Sequence, residues 1–188
     1  EVEAALKAMP KAKAFIIDLR DNGGGFVWQA FRVFSLFADK GVFTKLTGMY
    51  GGSAYKETLE LTATEMLDIE NGTTKTHTRP TNNTGTKPVV ILVNGDSASA
   101  SEMLTGALRD NARAKVVGTQ TFGKGIAQIT VNLDRKASVQ ITFAQYYFPG
   151  GGSIHGVGIK PDKAVTAGTS GDAQLTEAVK MAKEELTK

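Results

Sequence analysis

Five consecutive apolar residues, Val89-Val90-Ile91-Leu92-Val93, run directly into Asn94-Gly95-Asp96-Ser97-Ala98-Ser99-Ala100-Ser101-Glu102. A short apolar run closed by an Asn-Gly pair reads as a buried strand ending in a turn. Met103, Leu104, Ala107 and Leu108 then recur at helical spacing. The serines therefore sit where a strand hands over to a helix. The first backbone N–H groups of a helix lack internal partners and carry the positive end of its dipole. Such groups can stabilise the oxyanion formed when a hydroxyl attacks a carbonyl. The alanines between the serines leave room for a substrate backbone.

A serine hydroxyl is a weak nucleophile near neutral pH and needs a base beside it. The chain has no cysteine, so thiol chemistry is excluded, and it has two histidines. His77 lies in the polar stretch Thr73-Thr74-Lys75-Thr76-His77-Thr78 and reads as a surface strand residue. His155 lies in the glycine-rich turn Ser153-Ile154-His155-Gly156-Val157-Gly158 and reads as structural. Neither has a neighbouring carboxylate in sequence to orient it, as a serine–histidine arrangement requires. Lys124, in Thr121-Phe122-Gly123-Lys124-Gly125-Ile126-Ala127-Gln128, is the better candidate. Its flanking glycines permit an unusual backbone path. A lysine acts as a base only where desolvation destabilises its ammonium, and Phe122 and Ile126 are the apolar neighbours that sequence offers for this. Taken alone, the lysine reads more readily as a surface residue in a turn.

In combination, these two motifs resemble the C-terminal processing peptidases, or tail-specific proteases, of the S41 serine peptidase family. The resemblance implies that Ser99, the middle serine of the run, is the nucleophile and Lys124 the general base. It further implies that Gln128, four residues on, supports the lysine. The upstream stretch Asp18-Leu19-Arg20-Asp21-Asn22-Gly23-Gly24-Gly25 follows a short apolar strand, Lys13-Ala14-Phe15-Ile16-Ile17. Read locally, it is a tight loop or an anion-binding nest. It lacks the Gly-Lys-Ser/Thr ending and the Gly-x-Gly-x-x-Gly spacing of nucleotide loops. It is similar to the family signature Asp-Leu-Arg-Asn-Asn-Pro-Gly-Gly, which implies an oxyanion hole made by the N–H groups of Gly24 and Ala100. Gly23 stands where the family has proline, so which glycine donates stays open. Asp18 and Arg20 read as braces of this loop. Tyr146-Tyr147 with Ser153-Ile154 through Pro161-Asp162 resembles the family's closing run and carries no assigned chemistry.

The remaining chain supplies a frame. With 188 residues it is long enough for one domain with a real core, residues 1–188. A net charge of +3 with interspersed signs gives no footprint for nucleic acid. No apolar run reaches membrane-spanning length. The start at Glu1, without Met, reads as a processed or excised chain. Residues 2–9 read as a helix stopped by Pro10, and 26–38 as a helix apolar nearly all round. Residues 42–87 read as variable strands and hairpins, with turns at Gly51-Gly52-Ser53 and Asn71-Gly72. They carry no catalytic group and at most flank the substrate groove. Two glycosylation-type triplets, Asn71-Gly72-Thr73 and Asn82-Asn83-Thr84, are common by chance. Strands are expected at 115–118, 126–133 and 138–148, the last two joined through Asp134-Arg135-Lys136. A final helix is capped by Asp172, with Leu175, Val179, Ala182 and Leu186 as its core-facing stripe.

Alternating helices and strands followed by a late hairpin predict an α/β fold with a mixed sheet and flanking helices. The resemblance implies the ClpP/crotonase-like spiral. It also implies a serine endopeptidase with a Ser-Lys dyad, needing no metal or organic cofactor, and an extracytoplasmic setting in periplasm or cell envelope. The implied partners are proteins or peptides with accessible, apolar C-terminal tails. Full-length family members usually carry a PDZ module ahead of this region, and with no match to one here the chain reads as the catalytic core alone or as a chain interrupted upstream. Two other readings remain: a non-catalytic peptide- or ligand-binding module on the same fold, and a crotonase-type acyl-CoA enzyme. The serine–lysine pair disfavours the second, because crotonases do not use a serine nucleophile.

Overall fold

The computed structural model describes all residues except 83, 134, 135, 170 and 188. Helix α1 (Val2–Ala8) ends at Met9, before the proline that cannot continue it. Strand β1 (Phe15–Asp18) leads through the glycine loop to α2 (Val27–Phe37). Phe31, Phe34, Ser35, Leu36 and Phe37 of α2 are buried, whereas Phe26, the residue before it, is exposed. Four antiparallel strands follow: β2 (Gly41–Tyr50), β3 (Ser53–Leu61), β4 (Glu65–Glu70) and β5 (Thr73–Thr78). The β4–β5 turn has positive φ at both Asn71 (48°) and Gly72 (86°), the backbone of the type I′ hairpin expected from that pair. The second asparagine triplet includes residue 83 and lies outside the described residues.

The chain re-enters the interior with β6 (Val89–Val93), α3 (Ala100–Asp110) and β7 (Lys115–Gly118). It then forms the hairpin β8 (Ile126–Asn132) and β9 (Ser138–Tyr147), the two-residue strand β10 (Lys163–Ala164) and α4 (Ala173–Glu185). The connection expected between the hairpin strands includes residues 134 and 135, which lie outside the described residues.

The strands sort by direction into two sheets. The order β1-β6-β7-β10 is parallel throughout. The order β5-β4-β3-β2-β9-β8 is antiparallel throughout. The fold is thus the expected mixture of parallel and antiparallel strands with flanking helices, divided between two sheets. All five residues of β6 are buried, as befits a parallel strand covered on both faces. One core joins Phe31, Phe34 and Phe43 with Leu104 and Leu108, and the Phe31 and Phe43 rings stack at 5.2 Å. A second, smaller core sets Val90, Leu92 and Val117 against Ala178 and Ala182 of α4.

Here the structure bears out Ala182 of the expected stripe of the last helix and corrects the other three members. Gln174, Ala178 and Ala182 are buried, while Leu175, Val179 and Leu186 are exposed. Small residues let α4 lie close on the parallel sheet, and this close approach, rather than side-chain hydrophobicity, selected the buried face. Asp172 is the cap as expected, its carboxylate accepting from the Leu175 N–H at 2.9 Å.

Candidate active site

The β6–α3 turn holds its three serines in three different environments. Ser97 is buried, donating its hydroxyl to the Leu19 carbonyl at 2.7 Å and accepting from the Asn94 N–H at 2.9 Å. Ser101 is buried and donates to Asn22 Oδ1 at 2.9 Å. Ser99 is half-buried and lines a cavity. Its backbone has φ 57° and ψ −120°, immediately ahead of α3. A non-glycine residue held there stores roughly 1–3 kcal/mol of strain. A serine on a sharp, strained strand-to-helix turn is the arrangement that presents a nucleophilic hydroxyl at the end of a sheet. Ala100 is the first helical residue, so its N–H has no acceptor within the helix.

Glu102 locks this turn to the lysine turn. Its side chain is fully buried, 0% exposed. Oε2 accepts from the backbone N–H of Ser99 and of Lys124, both at 2.9 Å. Oε1 accepts from the Gly123 N–H at 2.8 Å and from the Thr121 hydroxyl. A buried carboxylate is tolerated where such donors satisfy its lone pairs, and bonds to an ionised acceptor are the stronger kind. Thr121 Oγ1 in turn accepts from the Ile159 N–H at 2.7 Å. From the other side, the Tyr146 hydroxyl shares its single proton between the carbonyls of Lys124 and, at 3.2 Å, Ser99. Burial above all, and then the Glu102 charge, push this phenol far above its ordinary pKa, so it remains a donor. One carboxylate and one phenol thus fix both backbones that carry the serine–lysine pair.

The loop after β1 closes over the turn. The Asn22 carbonyl accepts from the Ala98 N–H at 3.1 Å. Asp21 and Asn94 exchange bonds: the Asp21 N–H donates to Asn94 Oδ1 at 3.0 Å, and Asn94 Nδ2 to Asp21 Oδ1 at 2.8 Å. Gly24 has φ 98°, and a Cβ there would lie 2.6 Å from the Ala98 carbonyl oxygen and 2.8 Å from the Ala100 nitrogen. Its own N–H donates to Asn22 Oδ1 at 3.0 Å. Arg20 braces the loop, bonding Asp18 at 2.6 Å and Asp172, the α4 cap, at 2.8 Å.

Ser99, Lys124 and Gln128 line one cavity of about 440 Å³ with Leu46, Glu57, Leu59, Met103, Phe143 and Tyr146 among its walls. Gly24 and Ala100 line an adjoining cavity of about 640 Å³, and Gly25 borders both. Among the described residues, no hydrogen bond joins the side chains of Ser99 and Lys124. Gln128 bonds Thr142 Oγ1 at 3.3 Å rather than the lysine. Phe122 is 65% exposed, so the apolar surroundings come from the cavity wall and not from that neighbour. His77 is an exposed residue of β5 with its ring 4.5 Å from that of Trp28, and His155 is exposed in its turn. Neither histidine lines the cavity.

Reading the sequence left three contributors without a role. Glu102 stands three residues after Ser99, the Ser-x-x-Glu spacing of a capping box, and that signal was available. Tyr146 and Glu57 had no comparable signal, because both reach the cavity through strand pairing: Leu46 pairs with Glu57 on one side and Tyr146 on the other.

Comparison with known proteins places the chain in a family. The model of peptidase family S41 matches residues 1–165. A carboxy-terminal-processing protease of Bartonella bacilliformis is 36% identical over 171 residues, covering 88% of this chain and 35% of the relative. A carboxyl-terminal-processing protease of Synechocystis is 33% identical over 178 residues, covering 94% of this chain and 37% of the relative. Among solved structures, a photosystem II D1 C-terminal processing protease superposes with a TM-score of 0.63 at 28% identity, over 87% of this chain and 39% of that one. A putative S41 protease from Bacteroides fragilis gives a TM-score of 0.71 at 16% identity, over 98% of this chain and 49% of that one, a likeness of fold alone. The chain spans little more than a third of the length of the curated relatives it matches. The serine turn, the lysine turn and the glycine loop all fall within the matched span, and the chain belongs to peptidase family S41.

Proposed function

We propose that this chain carries the peptide-cleaving centre of a serine endopeptidase of the C-terminal processing kind. The observation that carries the reading is the shared cavity of Ser99 and Lys124, with both backbones tied to one buried carboxylate, Glu102. Ser99 Oγ attacks the substrate carbonyl carbon, and unprotonated Lys124 Nζ takes the hydroxyl proton. The oxyanion is held by the Ala100 N–H and by the Gly24 N–H, which exchanges Asn22 Oδ1 for the substrate oxygen. The tetrahedral intermediate collapses, Lys124 returns the proton to the leaving amine, and an ester remains on Ser99. Water, deprotonated by the same lysine, then hydrolyses that ester. Gln128, released from Thr142, orients the lysine amine. The substrates are proteins with accessible, apolar C-terminal tails, met outside the cytoplasm. Among the described residues, no helix is long and apolar enough to cross a membrane.

The test is digestion of an unfolded protein read by mass spectrometry, comparing wild type with Ser99→Ala and Lys124→Ala. Cleavage by wild type, reduced at least about 10⁴-fold in either variant, is the expected result. Cleavage that survives Ser99→Ala removes the nucleophile assignment. A second reading, a peptide-binding module without catalysis, is favoured by one observation, the bond of Gln128 to Thr142 in place of Lys124. Peptide binding by a wild-type protein that cleaves nothing would select it.

A further inference from the structure

The cavity that holds Ser99 has apolar walls, Leu46, Leu59, Met103 and Phe143, and a single acidic side chain, Glu57. Glu57 and Leu59 alternate onto the same face of β3. Glu57 pairs with Leu46, and Leu46 with Tyr146, whose hydroxyl reaches the Ser99 carbonyl. Neighbouring strands lie about 4.8 Å apart, so Glu57 stands two strands, roughly 10 Å, from Tyr146 along this row. Its Oε2 accepts from the Tyr55 hydroxyl at 2.7 Å. Among the described residues no donor meets Oε1. The next strand adds negative charge, with Glu70 paired to Glu57 and Asp68 to Leu59. Asp68 Oδ1 is buried without a hydrogen-bond partner among the described residues. Of the cations around this wall, Lys75 bonds Glu70 at 3.5 Å, and Lys124 lines the same cavity as the base proposed for Ser99. His77 lies further along β5, paired with Met66. The wall thus combines an apolar channel with an open carboxylate oxygen and an excess of negative charge.

We propose that Glu57 makes this subsite select a substrate side chain with an aliphatic stem and a cationic end, lysine above all, at the residue whose carbonyl Ser99 attacks. The inference rests on the reading of Ser99 as nucleophile. The four-carbon stem of lysine matches the apolar walls, and its compact ammonium has three donors for the free carboxylate oxygen. Burial, with the negative charges of Asp68 and Glu70 beside it, raises the Glu57 pKa, so the pairing weakens toward acid as the carboxylate protonates. This selectivity is additional to the preference for apolar tails, since it concerns one side chain at the cleaved bond.

The experiment uses peptides identical except at that residue, which is lysine, norleucine or glutamate. Norleucine keeps the stem and lacks the ammonium. Wild type is expected to favour lysine over norleucine by about tenfold in kcat/KM and to reject glutamate. In Glu57→Gln the lysine-to-norleucine ratio falls to about one, and in wild type the same ratio shrinks as the buffer is made acidic. A ratio at or below one in wild type, or one unchanged in Glu57→Gln, overturns the proposal. Binding of product peptides ending in lysine or norleucine to Ser99→Ala, by fluorescence anisotropy, reads the same selectivity without turnover. A tenfold preference for lysine there, absent from the Ser99→Ala/Glu57→Gln double variant, supports the subsite even if wild type cleaves nothing. Equal binding of the two peptides overturns it. Loss of cleavage with lysine-selective binding counts against the peptidase reading alone.

Discussion

Glu102 bears on Ser99 and Lys124 together, although its side chain is closed off from the cavity. Four donors converge on its two oxygens, two on each. Glu102→Gln keeps the shape but replaces one acceptor with an NH2 group. That group faces either the Ser99 and Lys124 N–H pair or the Gly123 N–H and Thr121 hydroxyl. Unpaired buried donors cost about 1–3 kcal/mol each, so the variant is expected to lose about 3 kcal/mol in chemical denaturation. Because the carboxylate positions the pair without touching substrate, kcat should fall about 10²-fold or more with KM little changed. A loss confined to stability, with the surviving folded protein fully active, would reduce Glu102 to a packing residue. The Ser-x-x-Glu spacing made a capping role legible in the sequence. Its bonds to residues 121, 123 and 124 were not legible, because they depend on where the next strand delivers the lysine turn.

At the scale of elements, the serine turn is assembled by one loop pressed onto one helix start. Gly24 is the point of closest approach. Its φ of 98° is unfavourable for any side chain, and an added Cβ would sit 2.8 Å from the Ala100 nitrogen and 2.8 Å from Ser99 Cβ. Gly24→Ala therefore combines backbone strain with a side chain placed over the N–H proposed to hold the oxyanion. The expected outcome is a loss of about 2 kcal/mol or more in stability and a larger proportional loss in kcat than in substrate binding. Crystallography of the variant would show whether the loop lifts from the serine turn. Gly23→Ala is the control, since a Cβ at Gly23 meets nothing within 4 Å. The glycine cluster, the strand before it and the helix after it were all readable from composition and order. What escaped sequence reasoning was the face of α4. A stripe of Leu175, Val179, Ala182 and Leu186 was legible there, yet the sheet took Ala182 together with Ala178 and left the three larger residues exposed. Helical periodicity finds a face when hydrophobicity decides it, and misleads by one position when size does.

Across the whole molecule, the division into a parallel and an antiparallel sheet could not be read from the chain. Strand order depends on long-range pairing, and β10, two residues long, carries no periodicity at all. One long-range link joins the C-terminal helix to the glycine loop: Arg20, beside the loop after β1, grips Asp18 and the α4 cap Asp172, more than 150 residues further on. Hydrogen bonds from Arg20 hold both carboxyls below their ordinary range. A carboxylate whose folded pKa is depressed contributes stability above its unfolded pKa, about 3.9 for Asp, and loses it as pH falls through the folded value. Arg20→Gln should therefore melt below wild type at neutral pH. The gap should hold down to about pH 4 and close below it, as wild type loses the same clamp by protonation. Both pairs are partly exposed, so salt should also narrow the gap. The consequence for the site is specific. If the clamp positions the loop that carries Gly24, then kcat of Arg20→Gln should drop at neutral pH well below its melting temperature. A variant that melts earlier but cleaves at the wild-type rate while folded would show that α4 steadies the molecule and leaves the oxyanion loop alone.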